Sequence, residues 1–410
     1  MKFNFSKKNT VNTDEEKVEA FLTRGVENVF PNKDSVKKLL LSGKKLKIYL
    51  GVDPTGPTLH IGHSIPLKKL KEFQELGHEI ILLIGDFTAM IGDPTDKTAT
   101  RKTLTRKEVL ANCKNYKKQA EKLISFTGNN PAKFVFNSKW LAKMKFSDVL
   151  DLTSRVTVDQ MLKRDMFEKR MAEGKPLFIH EFMYPLMQGY DSVAMNVDGE
   201  IGGNDQTFNM LMGRELSREL INKEKFVITT KLLVDSSGKK MGKTEGNMIT
   251  MEDAPSNMFG KVMSWTDGMI LNGFELCTDV SNEEIEEFKK ELERGANPRD
   301  IKIKLAKEVV KTFCGEDSAN SAEQDFINTF SKRGLPEDVL EIKVLRDEKM
   351  ADVLLKAGLV ESKGEWRRLV LQGGVSDAET DEKINDPDEK VSDIVLKIGK
   401  RRFCKMVIGE

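Results

Sequence analysis

Cysteine is scarce in this 410-residue sequence, and its four cysteines stand apart from one another. Cys113, Cys277, Cys314 and Cys404 form no CxxC pair and have no flanking histidines. Zinc sites need closely spaced ligands, and disulfide frameworks are typical of short, cysteine-rich chains. The spacing argues against both, so we expect four reduced thiols, no structural zinc, no other bound metal and no prosthetic group.

Long apolar runs and an excess of charge of one sign are also missing. No stretch approaches the roughly 18 to 20 apolar residues of a membrane-spanning helix, and the N-terminus lacks the apolar core of a secretory signal. A net charge of +1 gives no overall basic field, so any contact with RNA must come from local patches. Hydrophobic residues (39%) and charged residues (32%) are balanced as in globular proteins. We expect a cytoplasmic protein of two or three domains without membrane contact.

After an N-terminal stretch that we expect to be helical, the first part of the chain has the pattern of a nucleotide-binding domain. Apolar runs at 46–52 and 79–85 predict two buried strands, and apolar residues spaced by three and four after Ile65 predict a helix that Gly77 ends. A strand, a helix and a strand of these lengths form a right-handed parallel crossover. A doubly wound parallel sheet binds ligands beyond the carboxyl ends of its strands, which marks the loop at 53–63 as functional.

The remaining patterns extend this sheet and add two regions. Strands are predicted at 133–137 and near 198–201, and a mostly helical, highly charged region follows at 281–331. After a connector, short helices lead into alternating, strand-like residues. We therefore predict an α/β protein with a Rossmann-like doubly wound parallel sheet, then an α-helical domain and a small α+β domain. The predicted bounds are 1–248, 249–340 and 345–410.

Two motifs suit phosphate binding, and the first is His-Ile-Gly-His. It contains His60, Gly62 and His63, between a proline-rich turn and a helix. Imidazoles near a helix N-terminus can donate hydrogen bonds to phosphate oxygens, and the glycine allows a base or sugar to approach the backbone. Only four histidines occur in the chain, so two in one tetrapeptide are hard to assign to core packing. Taken alone, the motif is about equally consistent with a functional site and with a chance HxxH pair.

The second motif is a lysine-rich loop. Lys240, Lys243 and Thr244 belong to Lys-Met-Gly-Lys-Thr, in a stretch rich in glycine and serine. Its charge and mobility suit a flap that closes over a triphosphate, although an isolated loop of this kind is more often a solvated basic surface. Both motifs in this order, separated by most of a Rossmann domain, are far more specific than either one.

With both motifs, the sequence resembles the class I aminoacyl-tRNA synthetases, whose motifs are HIGH and KMSKS. His60–His63 match the first, and Lys240–Thr244 match the second in the form KMGKT. The resemblance implies that an amino acid is activated by ATP, with Mg²⁺, to an aminoacyl-adenylate. It implies that the two histidines, the two lysines and Thr244, with Thr55, stabilise the reacting phosphates.

The stretch at 180–191 indicates the amino acid. If it is helical, Tyr184, Gln188 and Asp191 point from one face. A phenol, an amide and a carboxylate can together hold an ammonium group and a polar ring substituent, although an exposed polar stripe is the alternative. Tyr49 on the first strand adds another phenol, but a buried tyrosine on a strand is commonly structural.

These residues, with GGNDQ at 202–206, are similar to the tyrosyl branch of the class over essentially the whole chain. The resemblance implies that Tyr49 and Asp191 bind the phenolic hydroxyl of L-tyrosine. The other tyrosine-binding residues that it implies are Asp53, Asp93, Tyr184, Gln188 and Gln206. The ATP-binding residues that it implies are Gly51, Thr55, His60, Gly62, His63, Gly203, Asp205, Leu233 and Lys243.

The C-terminal unit resembles the S4 RNA-binding fold of bacterial-type tyrosyl enzymes. Its basic stretches flank an acidic insertion at 377–389, which we interpret as a solvated loop pointing away from RNA. Basic clusters contact RNA phosphates, and the resemblance implies tRNA(Tyr) as partner and a homodimer. The tRNA-binding residues that it implies are Lys363, Arg367, Arg368, Lys400, Arg401 and Arg402.

Three other functions stay open at this point. A tryptophanyl-tRNA synthetase shares the fold and both phosphate motifs, but it has no S4-like tail, and Tyr49 with Asp191 suits a phenol better than an indole. A small-molecule adenylyltransferase needs neither the helical region nor an RNA-binding tail. An inactive RNA-binding paralogue would show decay of the phosphate-binding residues, which are all present.

Overall fold

The computed structural model of the chain describes residues 11–93, 104–234, 248–330, 340–345, 348–378, 382–399 and 402–408. The molecule consists of two compact units, Met1–Ala319 and Asn320–Glu410. Within those ranges, no helix is long and apolar enough to span a bilayer.

The first unit is built on a six-stranded sheet. Its strands are β1 (Val26–Phe30), β2 (Lys47–Val52), β3 (Glu79–Ile84), β4 (Lys133–Phe136), β5 (Gly199–Gly203) and β6 (Phe226–Thr230). They lie in the order β1-β6-β5-β2-β3-β4, with β1 antiparallel to β6 and the other neighbours parallel. The chain order reverses between β2 and β5, so a ligand crevice lies beyond the carboxyl ends of these strands. The predicted doubly wound parallel sheet is confirmed.

Burial explains which strands the sequence reveals. Ile48, Tyr49 and Leu50 are consecutive on β2 and all buried, so both faces of this central strand are covered. Its sequence is therefore a continuous apolar run. β1 lies in the N-terminal stretch that the sequence predicts as helical, and that prediction is wrong there. β1 is an edge strand with exposed residues, so its sequence VENVF carries no such run.

The helices around this sheet include the two that carry the predicted motifs. The helices are α1 (Glu15–Thr23), α2 (Lys33–Leu41), α3 (Ile61–Glu75), α4 (Thr88–Ile91), α5 (Arg106–Cys113), α6 (Tyr116–Ala120), α7 (Ser138–Leu141), α8 (Phe146–Thr153), α9 (Val158–Leu162), α10 (Asp165–Ala172), α11 (Ile179–Met195) and α12 (Thr207–Ile221). α3 begins at Ile61 rather than at the predicted Ile65, because His60 caps it. α11 confirms that the stretch at 180–191 is helical.

The helical region that follows packs around α14 and α16. Its helices are α13 (Pro255–Met263), α14 (Ile270–Cys277), α15 (Asn282–Glu293), α16 (Pro298–Cys314) and α17 (Glu316–Phe330). Phe274 on α14 is fully buried, with its ring centroid 4.7 Å from that of Phe288. A Cβ on Gly273 would lie 2.8 Å from the side chain of Leu305, so the glycine lets α14 cross α16 closely. The predicted helical character of 281–331 is confirmed.

The second unit is a small α+β fold, as predicted. It contains β7 (Leu340–Val344), α18 (Met350–Lys356), α19 (Lys363–Leu371), β8 (Val375–Asp377), β9 (Ile394–Ile398) and β10 (Arg402–Ile408). The strands lie in the order β7-β10-β9-β8, with β10 parallel to β7 and the other pairs antiparallel. Trp366 on α19 is 1% exposed, and its Nε1 donates to the carbonyl of Pro387 at 2.8 Å.

Candidate active site

The His-Ile-Gly-His motif forms the first turn of α3. His60 Nδ1 accepts a hydrogen bond from the Gly62 N–H at 3.1 Å, and His63 Nδ1 accepts one from the His60 N–H at 3.1 Å. A Cβ on Gly62 would lie 3.0 Å from the His60 ring, so a residue larger than glycine would crowd that ring. A neutral imidazole that accepts at Nδ1 carries its proton on Nε2. Both histidines therefore have a donor Nε2–H at a helix N-terminus, where anions bind.

The lysine-rich loop ends beside this motif. Three predicted residues lie outside the described residues: Lys240, Lys243 and Thr244. The backbone after the loop pairs with the start of α3. The Ile61 N–H donates to the Ile249 carbonyl at 2.9 Å, and the Met251 N–H donates to the Leu59 carbonyl at 2.9 Å. Main-chain hydrogen bonds thus join residues 249–251, which follow the loop, to the start of α3.

Asp53, just after β2, is held by two hydroxyl groups. Tyr184 Oη on α11 donates to Asp53 Oδ2 at 2.8 Å, and Thr88 Oγ1 on α4 donates to Asp53 Oδ1 at 2.7 Å. Burial, and after it the charge of Asp53, raises the pKa of Tyr184 well above its ordinary value. The Tyr184 hydroxyl therefore keeps the proton that it donates.

Tyr49 on β2 and Asp191 on α11 are buried polar groups in the same part of the unit. Tyr49 Oη lies 3.0 Å from Ser192 Oγ. Asp191 is 2% exposed and accepts from Trp140 Nε1 at 2.7 Å and from Asn137 Nδ2 at 3.2 Å. Burial raises the pKa of both groups well above their ordinary values, and nearby carboxylates add to the rise at Tyr49. A phenol and a buried carboxylate placed in this way can bind a hydroxyl group.

Gln188 contacts an ion pair that the sequence did not single out. Gln188 Nε2 donates to Glu200 Oε1 at 3.1 Å, and the other oxygen of Glu200 accepts from Lys225 Nζ. Lys225 also donates to Ser192 Oγ at 2.8 Å. Burial lowers the pKa of Lys225, and the charge of Glu200 opposes that shift. The predicted residues Gln188 and Tyr49 are therefore connected through this pair.

Asp93 lies after α4 and is fixed on both carboxylate oxygens. Gln206 Nε2 donates to Oδ2 at 2.7 Å, and Arg164 Nη2 donates to Oδ1 at 2.8 Å. The Arg164 guanidinium lies over the rings of Phe167 and Phe208, at 5.5 and 5.7 Å from their centroids. The structure thus brings the predicted residues Asp93 and Gln206 into contact.

The residues predicted to bind ATP follow the carboxyl ends of the strands. Gly51 is exposed near the end of β2, and Thr55 is exposed in the turn after it. A Cβ on Gly203 at the end of β5 would lie 2.5 Å from Asp205 Oδ1, so glycine lets that carboxylate lie against the backbone. Leu233 is 5% exposed after β6. Across the described part of the chain, no cluster of His, Cys, Asp and Glu side chains suits a metal ion.

The basic residues of the second unit divide into two groups. Lys363, Arg367 and Arg368 are exposed on α19, and Lys363 Nζ lies 2.5 Å from Asp352. Arg402, in contrast, is engaged within the unit: it donates to the Leu359 carbonyl at 2.6 Å and to Glu365 Oε1 at 2.9 Å. Two predicted residues, Lys400 and Arg401, lie outside the described residues. In the acidic insertion, Asp388 pairs with Lys349 at 2.8 Å.

Several residues of this site were missed by the sequence analysis because they belong to no motif. They are Thr88, Asn137, Trp140, Arg164, Ser192, Glu200 and Lys225. One signal was present: Glu200 lies within an apolar strand and Lys225 directly before another, where a charged residue needs a partner.

Comparison with known proteins agrees with the geometry. The sequence profile of the tRNA synthetases class I (W and Y) matches residues 41–331. The tyrosine–tRNA ligase of Carboxydothermus hydrogenoformans is 46% identical over 403 residues, covering 94% of this chain and 96% of that protein. The tyrosine–tRNA ligase of Haemophilus influenzae is 45% identical, covering 97% of this chain and 98% of that protein.

Solved structures show the same fold. A C-terminally truncated mitochondrial tyrosyl-tRNA synthetase from Coccidioides posadasii superposes with a TM-score of 0.62 at 26% identity, covering 78% of this chain and 92% of that one. The class profile includes both tryptophan and tyrosine enzymes, whereas the nearly full-length relatives are tyrosine enzymes. The chain therefore belongs to the tyrosine–tRNA ligases, the bacterial-type tyrosyl branch of the class I tRNA synthetases.

Proposed function

We propose that this chain activates L-tyrosine with ATP and transfers it to tRNA(Tyr), with the residues at the carboxyl ends of β2 and β5. The observation that carries the choice of tyrosine is the buried Asp191 carboxylate near the Tyr49 phenol. A buried site that hydrogen-bonds a substrate hydroxyl rejects an analogue without it, since the site's own groups would be unpaired; tyrosyl-tRNA synthetases are the standard example. Phenylalanine would deprive Asp191 and Tyr49 of their hydrogen bonds with the substrate hydroxyl.

The other end of tyrosine is its α-ammonium group, which needs acceptors. We assign this role to Tyr184, Gln188 and Asp93. Asp53 holds Tyr184 at 2.8 Å, and Gln206 holds Asp93 at 2.7 Å, so each acceptor is positioned by a neighbour. Such fixed positions reduce the entropy lost when substrate binds in a reactive geometry.

In the first step, a carboxylate oxygen of tyrosine attacks the α-phosphorus of ATP. A phosphorus–oxygen bond forms, the bond to pyrophosphate breaks, and tyrosyl-adenylate results. His60 and His63 donate Nε2–H groups to the phosphoryl oxygens as charge develops on them. The lysine-rich loop, which precedes the residues paired with the start of α3, supplies Lys240, Lys243 and Thr244, and Thr55 supports the leaving phosphates. Mg²⁺ enters with ATP as part of that substrate.

The nucleoside part of ATP lies along the same edge of the sheet. Gly51, Gly62 and Gly203 allow its base and ribose to approach the backbone, Asp205 accepts from the ribose hydroxyls, and Leu233 contacts the nucleotide. In the second step, a hydroxyl of the 3′-terminal ribose of the tRNA attacks the carbonyl carbon of the adenylate. The ester forms and AMP leaves.

The tRNA is held in part by the second unit. The phosphates of the tRNA contact the exposed face of α19, with the remaining basic residues of the unit beside that face. Residues 1–248 form the catalytic domain, 249–340 an anticodon-side helical domain and 345–410 an S4-like domain in this proposal. The compartment is the cytoplasm.

A homodimer is the proposed assembly, and a segment of the first unit supports it. Large apolar side chains are exposed along residues 146–179: Phe146 is 76% exposed, Val158 72% and Ile179 82%. Apolar side chains at this density on a surface mark an interaction site. A second copy of the chain is the partner that we assign to it.

Amino-acid-dependent exchange of labelled pyrophosphate into ATP tests the activation step. Tyrosine should support exchange with a kcat/KM far above those of phenylalanine and tryptophan, and Asp191→Ala should abolish exchange with tyrosine. Asp279→Ala is the control, because Asp279 pairs with Lys68 on α3 and contacts none of the proposed tyrosine-binding residues. Exchange with tryptophan instead, or with no amino acid in a folded protein, would contradict the proposal.

A further inference from the structure

Lys225 and Glu200 form an ion pair that contacts both groups of residues assigned to tyrosine. On one side, Lys225 Nζ donates to Ser192 Oγ at 2.8 Å, and Ser192 Oγ lies 3.0 Å from Tyr49 Oη. On the other side, Glu200 accepts from Gln188 Nε2 at 3.1 Å. We propose that this pair positions the pocket by setting the direction of the hydrogen bonds that recognise the hydroxyl and ammonium groups of tyrosine. The inference rests on the proposed function.

The burial of the pair argues for a role beyond packing. Lys225 and Glu200 are each 1% exposed. Two charges removed from water carry a desolvation penalty that apolar residues of similar volume avoid. The surrounding structure also makes room for the ammonium group: a Cβ on Gly213 of α12 would lie 2.5 Å from Lys225 Nζ and 2.7 Å from Ser192 Oγ.

Two chains of hydrogen bonds, here called arms, lead from the ion pair toward the substrate. The arm toward the phenol begins at Lys225, a group that can only donate. Lys225 donates to Ser192 Oγ, and an oxygen that accepts from an ammonium group becomes a stronger donor itself. Ser192 therefore donates to Tyr49 Oη. The hydroxyl hydrogen of Tyr49, which also has the Glu200 carboxylate as an acceptor, is then offered to the phenolic oxygen of the substrate. The substrate hydroxyl then donates to Asp191, which as a carboxylate only accepts. Every link runs from donor to acceptor in one direction.

The arm toward the ammonium group begins at a group that can only accept. The carboxylate of Glu200 attracts the NH₂ of Gln188, so the amide oxygen of Gln188 faces away from Glu200. That oxygen is the acceptor that a substrate ammonium group needs. If the amide turned over, it would present hydrogens to a cation. Lys225 balances the charge of Glu200, so this carboxylate is not buried without a counterion.

Three variants separate the two arms, with kcat/KM for tyrosine and for phenylalanine measured by pyrophosphate exchange. Ser192→Ala removes only the link to Tyr49. It should lower the tyrosine-to-phenylalanine ratio about tenfold or more, as expected for one lost hydrogen bond next to a charge. Glu200→Gln allows the Gln188 amide to turn over, so it should lower both values by the same factor. Lys225→Met should lower the tyrosine-to-phenylalanine ratio and also lower both kcat/KM values, while the KM for ATP stays unchanged.

Lys302→Met is the matched control, because Lys302 is also buried and pairs with Asp267 at 2.7 Å in the helical region. It should lower the melting temperature and leave the ratio unchanged. A folded Lys225→Met enzyme with the wild-type ratio and the wild-type KM for tyrosine would overturn the inference. If Lys225→Met does not fold, a wild-type ratio in Ser192→Ala overturns it. A wild-type enzyme without tyrosine-dependent exchange would overturn the proposed function instead.

Discussion

At the scale of single residues, the site depends on which atom of each side chain donates. Asp191 shows this most directly, because burial raises its pKa well above the ordinary value. Trp140 Nε1 and Asn137 Nδ2 donate to it, and both bonds oppose the rise in its pKa that burial causes. The indole nitrogen, rather than the bulk of the ring, therefore favours the carboxylate form, which can accept from the substrate.

Trp140→Phe should weaken tyrosine binding. It keeps the ring and removes a hydrogen bond to a buried carboxylate, a loss of about 1.5–3 kcal/mol, so the KM for tyrosine should rise roughly ten- to a hundredfold. Because the Trp140 bond lowers the pKa of Asp191, its loss raises that pKa further. The acid limb of the pH profile of kcat/KM for tyrosine should therefore move to higher pH.

Trp265→Phe is the control for that substitution. Trp265 is 4% exposed, and its Nε1 finds no acceptor among the residues that the structure describes. In Trp265→Phe, neither the KM for tyrosine nor the acid limb of the pH profile of kcat/KM should change. An unchanged pH profile in Trp140→Phe would mean that the indole bond does not tune Asp191.

At the scale of helices and strands, position is decided by periodicity and by end signals. Tyr184, Gln188 and Asp191 share a face of α11 because four- and three-residue spacings return to the same side of a helix. α3 brings two histidines to its N-terminus because His60 replaces the usual hydroxyl or carboxylate cap. These local rules place functional groups before any tertiary contact is made.

Two glycines allow a test of such local rules. Gly260 lies inside α13 and Gly295 follows α15 at φ +88°, and in both cases the space for a Cβ is open. Gly260→Ala should stabilise the first unit by up to about 1 kcal/mol through helix propensity. Gly295→Ala should destabilise it by about 1–2 kcal/mol through left-handed backbone strain.

The measurement is the melting temperature of the two variants by calorimetry, with pyrophosphate exchange as a check that the site is intact. Both positions have the same free space, so packing cannot account for opposite shifts. Shifts of the same sign would mean that backbone conformation is not the deciding factor.

At the scale of the whole molecule, the exposed basic face of the second unit should matter only when tRNA is present. Replacing Lys363, Arg367 and Arg368 with alanine should lower kcat/KM for tRNA roughly tenfold and flatten its dependence on salt, since fewer phosphates are neutralised. Pyrophosphate exchange with tyrosine needs no tRNA and should not change. A parallel loss in both assays would show damage to the fold instead.

The proposed dimer is tested at the same scale. Ile179→Asp and Phe146→Asp should convert a dimer into a monomer in light scattering, because a charge in an apolar interface is desolvated without a partner. Leu371→Asp is the control, since Leu371 is 70% exposed but lies in the second unit. A wild-type monomer, or dissociation by Leu371→Asp alone, would contradict the assigned surface.

Much of the fold could be predicted from the sequence because its signals are local. β2 and β3 are buried apolar runs, and α3 has apolar residues spaced by three and four, so each element shows its type without its neighbours. The sequence of β1 does not show that it is a strand, because an edge strand has partners on one side and needs no apolar run. The HIGH and KMGKT motifs and the S4-like tail indicated the chemistry through their resemblance to the class I synthetases.

The partners of the site residues were decided only by the tertiary structure. Tyr49 meets Ser192 from 143 residues away, and Lys225 meets Glu200 because β5 and β6 are neighbours in the sheet. Asp93 likewise depends on Arg164. A buried charge signals that it needs a partner, but not which one, because the partner follows from strand order and helix crossing. The sequence by itself therefore determined most of the elements and the family and predicted the reacting groups, and the folded chain decided which donor faces which acceptor.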